Sequence, residues 1–286
     1  MKTVKTNGTE LAYLEAGDGP LVVLVHGFPD TAHTWLPTMD ALAAAGFHVV
    51  APFTRGYWPS PVPEDKLYDS DTLGRDLLGF IESFNENAIL VGHDWGASAA
   101  YAAAGLDPYR IRLLVTLAIP HPKSIKPTPT MMWNLRHFAA LRRKSIVAKA
   151  QRDNFAYIDE LWRRWSPAWK DLPASETTHV KEAFSQPGCL EAACSYYRFI
   201  GLRLPKGHLA DITVPTVAFA GEHDGAMKPR AFEKARHCFK ASYEVIQVPG
   251  GHFMHREHPE TFIPELVQVV RQFQDGARAA APDLRQ

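Results

Sequence analysis

Residues 88–105, AILVGHDWGASAAYAAAG, join an apolar run to an Ala-rich one through Gly92-His93-Asp94-Trp95-Gly96. Ile89-Leu90-Val91 reads as a buried strand, and the alanines that follow favour helix. The pattern is strand, sharp turn, helix, with a glycine on either side of one reactive residue. Gly-x-Ser-x-Gly in that setting is a nucleophile elbow, which presents a serine hydroxyl at the tip of a strand. Here the central residue is Asp94, a carboxylate where a hydroxyl would stand.

The rhythm around this elbow is that of an α/β protein. The segment TVKTNGTELAYLEAG alternates about Asn7-Gly8, the mark of a β-hairpin. Residues 21–28, LVVLVHGF, form a continuous apolar run, as a strand buried on both faces would. A helix ends at Gly46, FHVVAPFTRGY is a strand entering a loop, and SDTLGRDLLGFIESF has helical spacing with Ser70 or Asp71 at its N-cap. RLLVTLAIP is the next strand. Alternation of this kind predicts a mostly parallel sheet with helices on both faces. At Pro120 it breaks. From Met131 to Tyr197 the chain reads as helical with no strand-like run, and after Leu204 strands return in VPTVAFAGEHD and YEVIQVPGGHF, with PETFIPELVQVVRQFQ as a closing amphipathic helix. The organisation predicted is one α/β core, 1–120 with 206–286, interrupted by a helical insertion, 121–205; the last twelve residues read as a frayed tail.

Bulk composition removes several functions. The 286 residues carry 31 Lys+Arg against 31 Asp+Glu, so no net field draws the chain to nucleic acid or to an anionic membrane. No apolar run approaches a membrane span and no signal-peptide core is present, which predicts a cytoplasmic protein. Three cysteines without a CxxC pair argue against a disulfide framework and against a zinc site. The histidines at 252, 255 and 258 have no matching Cys or carboxylate at ligand spacing, so no metal and no cofactor are expected. A small-molecule substrate and water are the expected partners, and a homodimer is left open.

Three titratable residues fall at the C-terminal ends of predicted strands, where open parallel sheets bind ligands: Asp94, Asp224 in AGEHDGAM, and His252 in PGGHFMH. Their order is nucleophile, acid, histidine. Each alone has a commoner use, Asp as a turn residue and His as a surface or core residue; the three in order after strands carry more weight. Glu222 and His223 flank Asp224 and compete for the acid role. His93 and His26 read as structural. An oxyanion hole needs two backbone N–H groups, one from Trp95 after the nucleophile and one from the loop HGFPD, at Phe28.

HGFPD, APFTRGYWPS, VGHDWGAS, AGEHDG and GGHF fall in the order found in the α/β-hydrolase superfamily, which the sequence resembles over nearly its whole length. HGFP together with GHDWGA resembles its branch of epoxide hydrolases and haloalkane and haloacetate dehalogenases, which use an aspartate nucleophile. The resemblance implies an α/β-hydrolase fold whose inserted helices cap the active site. YYR, 196–198, resembles the stretch that supplies a ring-opening tyrosine in epoxide hydrolases, which places that role on Tyr197. A second cap tyrosine has only Tyr157 as a candidate, and core packing is the commoner role there. Trp162, Trp165 and Trp169 share a spacing that serves packing more often than a pocket wall; Tyr157, Trp162 and Trp165 are kept as candidate substrate contacts. PFTRGY departs from the usual Pro-Asp-Leu before Arg-Gly-Tyr.

Why a carboxylate serves follows from the chemistry. Attack on an ester would give a high-energy anhydride, whereas attack on a saturated carbon bearing a leaving group gives an ordinary alkyl ester of Asp94. Water activated by His252, with Asp224 behind it, would then hydrolyse that ester, the hole stabilising the tetrahedral intermediate. An epoxide needs a proton donor; a halide needs N–H donors. Phe28, where many haloalkane enzymes have Asn, offers no side-chain donor, and Trp95 stands where haloacetate enzymes usually have Arg. The reading is an epoxide hydrolase, with a dehalogenase using the same triad as the alternative and a non-catalytic ligand-binding member of the fold as the third.

Overall fold

The computed structural model describes residues 1–280 except 127, 135 and 202. Eight strands lie in one sheet among them: β1 (Lys2–Thr6), β2 (Thr9–Ala16), β3 (Leu21–Val25), β4 (His48–Pro52), β5 (Ala88–His93), β6 (Ile111–Leu117), β7 (Thr216–Gly221) and β8 (Tyr243–Val248). Their order is β1-β2-β4-β3-β5-β6-β7-β8. The hairpin β1–β2 turns at Asn7-Gly8, both at positive φ (41° and 75°), the requirement of a tight two-residue turn. It joins antiparallel to β4, and every pairing from β4 to β8 is parallel.

The middle strands are buried on both faces, which explains their unbroken apolar sequence. Along β3, Leu21, Val23 and Val25 enter one core while Val22 and Leu24 enter the other; on β5, Leu90 faces the first and Ile89 and Val91 the second. The first core is covered by α2 (Ser70–Glu82) and α3 (Trp95–Leu106), the second by α1 (Leu36–Ala44) and by the closing helix Pro259–Ala280. That closing helix seats Phe262, Leu266 and Val270 fully in the core, at i, i+4 spacing. Each contributes about 2 kcal/mol of burial, so a charge at Leu266 would detach it. The alanines of α3 serve close approach: a Cβ on Gly74 of α2 would stand 2.9 Å from the Ala103 nitrogen.

The N-cap of α2 is Asp69, not Ser70 or Asp71. Asp69 is extended and accepts from the Thr72 N–H at 3.1 Å, whereas Ser70 and Asp71 already lie within the helix. Asp71 instead accepts from the backbone N–H groups of Lys206 and Gly207, at 3.1 and 2.9 Å. It thereby pins the chain where the helical segment returns to the sheet.

Between β6 and β7 the described residues contain helices and no strand: α4 (Pro129–Asn134), α5 (Arg136–Leu141), α6 (Ser145–Ala150), α7 (Ala156–Trp165), α8 (Thr178–Ser185), α9 (Cys189–Arg198) and α10 (Lys206–Leu209). Residues after β7 form α11 (Pro229–Lys234), and those after β8 form α12 (Met254–Glu257) and α13, the closing helix. The predicted frayed tail is helical through Ala280; 281–286 lie outside the described residues. No helix among the described residues is long and apolar enough to cross a membrane.

Candidate active site

The loops that leave β3, β5, β7 and β8 at their C-terminal ends converge. Asp94, between β5 and α3, has φ 52° and ψ −116°, a conformation that side chains other than glycine rarely adopt. Its flanking glycines permit the turn. A Cβ on Gly92 would lie 2.4 Å from the Gly96 carbonyl oxygen, and one on Gly96 would lie 2.3 Å from that of Val25. Strand, turn and helix are thus packed backbone against backbone, and the Asp94 side chain is thrust out of the sheet edge while remaining buried.

Both carboxylate oxygens of Asp94 have partners. Oδ1 accepts from the Phe28 N–H at 2.9 Å, and Oδ2 faces His252 Nε2 at 3.3 Å. Gly27 makes room for this, since a Cβ there would meet Asp94 Cβ at 2.5 Å. On the far side of the imidazole, Nδ1 donates to Asp224 Oδ2 at 2.9 Å, while Asp224 Oδ1 accepts from the Ala226 and Met227 N–H groups at 2.6 and 3.0 Å. Glu222 and His223, the competitors for the acid role, are exposed. The Trp95 N–H opens α3, at the positive end of its dipole.

Electrostatics follow from this sandwich. Burial alone would lower the His252 pKa, but the charges of Asp224 and Asp94 more than offset it and raise it to about 10. Burial alone would raise Asp94; the facing imidazolium and the Phe28 N–H overcome it and hold the carboxyl below its ordinary value. At neutral pH His252 therefore rests as an imidazolium facing the Asp94 carboxylate.

The helical segment closes over the nucleophile with aromatic rings. Tyr197 on α9 packs edge-on against Phe28 and Trp95, both at 5.2 Å between centroids. Burial, then the nearby Asp94 charge, raises its phenol well above the usual value, and the Trp95 indole works in the opposite sense. Trp165, ending α7, stands 5.2 Å from the His252 ring. Its carbonyl accepts from the backbone N–H groups of both His252 (3.1 Å) and Gly225 (2.9 Å), so α7 fastens the histidine loop and the acid loop together. The Trp162 indole donates to the Pro29 carbonyl at 2.9 Å, beside Phe28, and its ring stacks on Phe253 at 3.7 Å.

A family model described as alpha/beta hydrolase fold matches residues 20–259. The chain belongs to that family. An AB hydrolase superfamily protein of Bacillus subtilis, YfhM, is 34% identical over 90% of this chain and 92% of its own. Epoxide hydrolase A of Mycobacterium tuberculosis is 29% identical over 94% of this chain and 96% of its own. Among solved structures, epoxide hydrolase A of Mycobacterium thermoresistibile superimposes with a TM-score of 0.78 at 27% identity, covering 94% of this chain and 97% of that one. The protein is an epoxide-hydrolase-like α/β hydrolase.

In this α/β hydrolase the three residues singled out from strand ends, Asp94, Asp224 and His252, meet in one hydrogen-bonded row, and Phe28, Trp95, Tyr197 and Trp165 surround it. Tyr157 lies in the first turn of α7, with the Lys149 ammonium 5.2 Å above its ring, and is near enough to Tyr197 to contribute to raising its phenol. His26 supports the loop as expected: Nε2 accepts from the Thr54 N–H at 3.1 Å, so the proton sits on Nδ1 and goes to the Gly27 carbonyl. His93 braces the His252 loop from behind, its Nε2 donating to the His252 carbonyl at 2.9 Å. One wall residue went unread in the sequence. His137 on α5 is buried 4.6 Å from the Trp165 ring and 6.1 Å from Tyr197, kept neutral (pKa about 3) chiefly by burial. Its sequence neighbourhood carried no signal beyond helical spacing, and only the packing of α5 on α9 brings it to the site.

Proposed function

We propose that this hydrolase opens epoxides to vicinal diols through an alkyl ester on Asp94. The observation that carries the reading is a carboxylate at the elbow with one oxygen on a backbone N–H of the hole and the other facing a histidine. Relatives named epoxide hydrolase along nearly the whole chain support it. Asp94 Oδ2 attacks a ring carbon, the ring C–O bond breaks, and the Tyr197 hydroxyl gives its proton to the departing oxygen. Esterification removes the Asp94 charge. One of the two charges that raise His252 is gone, so the imidazolium can return a proton to the Tyr197 phenolate and become a base. It then takes a proton from water as the water oxygen adds to the Asp94 carbonyl carbon. The N–H groups of Phe28 and Trp95 stabilise the oxyanion. Collapse expels the alkoxide, which takes the proton of the newly formed carboxylic acid, and carboxylate and imidazolium are restored.

Helices 121–205 act in this reading as a cap, carrying Tyr197 and Trp165 to the nucleophile and excluding water during alkylation. His137 lines the same wall opposite Tyr197, the place for which the sequence offered only Tyr157. The test is a single turnover of a terminal epoxide in ¹⁸O-water with enzyme in excess. The ester route puts the heavy oxygen into the peptide containing Asp94 and leaves the diol unlabelled. Label found in the diol instead would mean direct attack of water and would overturn the reading.

A further inference from the structure

Behind the catalytic histidine lies a second polar cluster that the chemistry above does not use. Asp30, His93 and His255 are each buried, and each offers a side-chain atom without a hydrogen-bond partner: Asp30 Oδ2, His93 Nδ1 and His255 Nδ1. One ligand atom from each residue falls in a group whose members lie within 4.8 Å of one another. No carboxylate stands at ligand spacing from His255 along the sequence; the fold supplies one, Asp30, from the loop after β3.

The neighbours of each group bear on its proton position. His93 Nε2 lies 2.9 Å from the His252 carbonyl, which only accepts, so Nε2 carries the hydrogen and Nδ1 is a bare lone pair. His255 Nε2 lies 2.8 Å from the Thr34 hydroxyl oxygen; donating there leaves His255 Nδ1 a bare lone pair, as metal ligation requires. Asp30 Oδ1 is taken by the Thr31 N–H at 2.8 Å, leaving Oδ2. With His255 in that tautomer and Asp30 ionised, three unpartnered acceptors share one buried space; burial raises the Asp30 carboxyl to about 7, and a bound cation favours its ionised form. A water molecule has two hydrogens and satisfies two of the three; a cation satisfies all.

We propose that Asp30, His93 and His255 form a binding site for one divalent transition-metal cation, of the kind that takes two imidazoles and a carboxylate. Zinc suits that donor set. Tetrahedral coordination places donors about 3.4 Å apart, so each side chain must close by less than about 1 Å. The site draws on the loop after β3, the end of β5 and helix α12, and its His93 arm holds the His252 carbonyl. An occupied site braces the backbone on which the triad stands, and acts as a structural ligand, not as a participant in ester chemistry.

The test uses the full chain, freed of metal with EDTA and dialysed for long enough to let a buried site fill. With Zn(II) as probe, the wild type takes up one ion per chain, and its Tm rises by about 4 °C at a hundredfold excess over Kd. Asp30→Asn and His255→Phe abolish that uptake, the phenyl ring keeping the stack on Trp35 (4.8 Å for the native imidazole). Because either variant could fold poorly, ring NMR of the wild type gives a second reading. Zn(II) moves the His93 and His255 imidazole signals and leaves those of His33 and His179, a stacked pair elsewhere, in place. Uptake well below one ion per chain, uptake kept in both folded variants, or shifts confined to other histidines would overturn the proposal in favour of a water held by a protonated Asp30.

Discussion

Tyr196 and Tyr197 are adjacent on α9 and both buried; the proposed mechanism gives them different tasks, and removing one hydroxyl at a time separates them. The Tyr196 hydroxyl donates to the Arg55 carbonyl at 2.6 Å and so ties the cap helix to the loop after β4. Tyr196→Phe leaves that buried carbonyl without its donor, a cost of about 1–3 kcal/mol. With an unfolding entropy of about 0.6 kcal/mol per kelvin for a chain of this length, Tm should fall by about 2–5 °C. Turnover should be unchanged within about twofold. Tyr197→Phe keeps the ring against Phe28 and Trp95, so stability should hold. Its loss falls on ring opening, where a positioned proton donor is worth about 10²–10⁴-fold, or about 3–5 kcal/mol of barrier. Two rings that stand beside Tyr197 or His252, those of Trp95 and Trp165, make stopped-flow tryptophan fluorescence a suitable record of ester formation. Ring opening slowed by Tyr196→Phe instead, or unaffected within threefold by Tyr197→Phe, would refute the assignment of the donor.

Other consequences concern the frame. Trp162→Phe keeps a ring over Phe253 but strands the buried Pro29 carbonyl; a loss of about 2 kcal/mol in urea unfolding is expected, with slower alkylation because Pro29 adjoins the Phe28 N–H. A urea midpoint equal to wild type would show that this bond holds nothing. The fold should also be acid-labile. Burial depresses His26 to about 4 and His121 and His137 to about 3. Below pH 6.5 the unfolded chain binds protons that these folded imidazoles refuse, so their stabilisation is full above 6.5 and is lost as pH falls toward the folded values. Each contributes a slope approaching about 1.4 kcal/mol per pH unit. His252, raised in the fold, is protonated in both states across this range and adds little. Three such groups remove about 4–5 kcal/mol between pH 6.5 and 5, measurable by urea titration in EDTA; equal or greater stability at pH 5 would contradict this.

What could be read from the sequence was what local chemistry writes into consecutive residues. Apolar runs such as 21–25 announce strands buried on both faces, Asn7-Gly8 announces its turn, and Gly92 and Gly96 mark an elbow because no larger residue fits between strand and helix. The order of Asp94, Asp224 and His252 carried the site, since loops after parallel strands meet at one edge. What escaped was set by packing across the chain. His137 reaches the site only through the contact of α5 with α9. Trp162 becomes a donor to Pro29 through tertiary contact alone. Asp30 finds His93 and His255 because the loop after β3, the end of β5 and α12 converge, which no spacing rule records. Asp69 rather than Ser70 caps α2, a matter of one residue's backbone angles at a helix end.

The central claim is that Asp94 becomes covalently joined to substrate, and the most direct measurement is the intact mass of His252→Gln after exposure to terminal epoxides and haloalkanes. Gln cannot serve as the base, so the ester should form and persist. The account expects one adduct per chain, heavier by the whole epoxide with nothing lost, mapping to the peptide that contains Asp94. An increment of an alkyl group without its halogen, in the absence of any epoxide adduct, would make the enzyme a dehalogenase. No adduct from an epoxide that the wild type turns over would contradict the claim that Asp94 is the nucleophile.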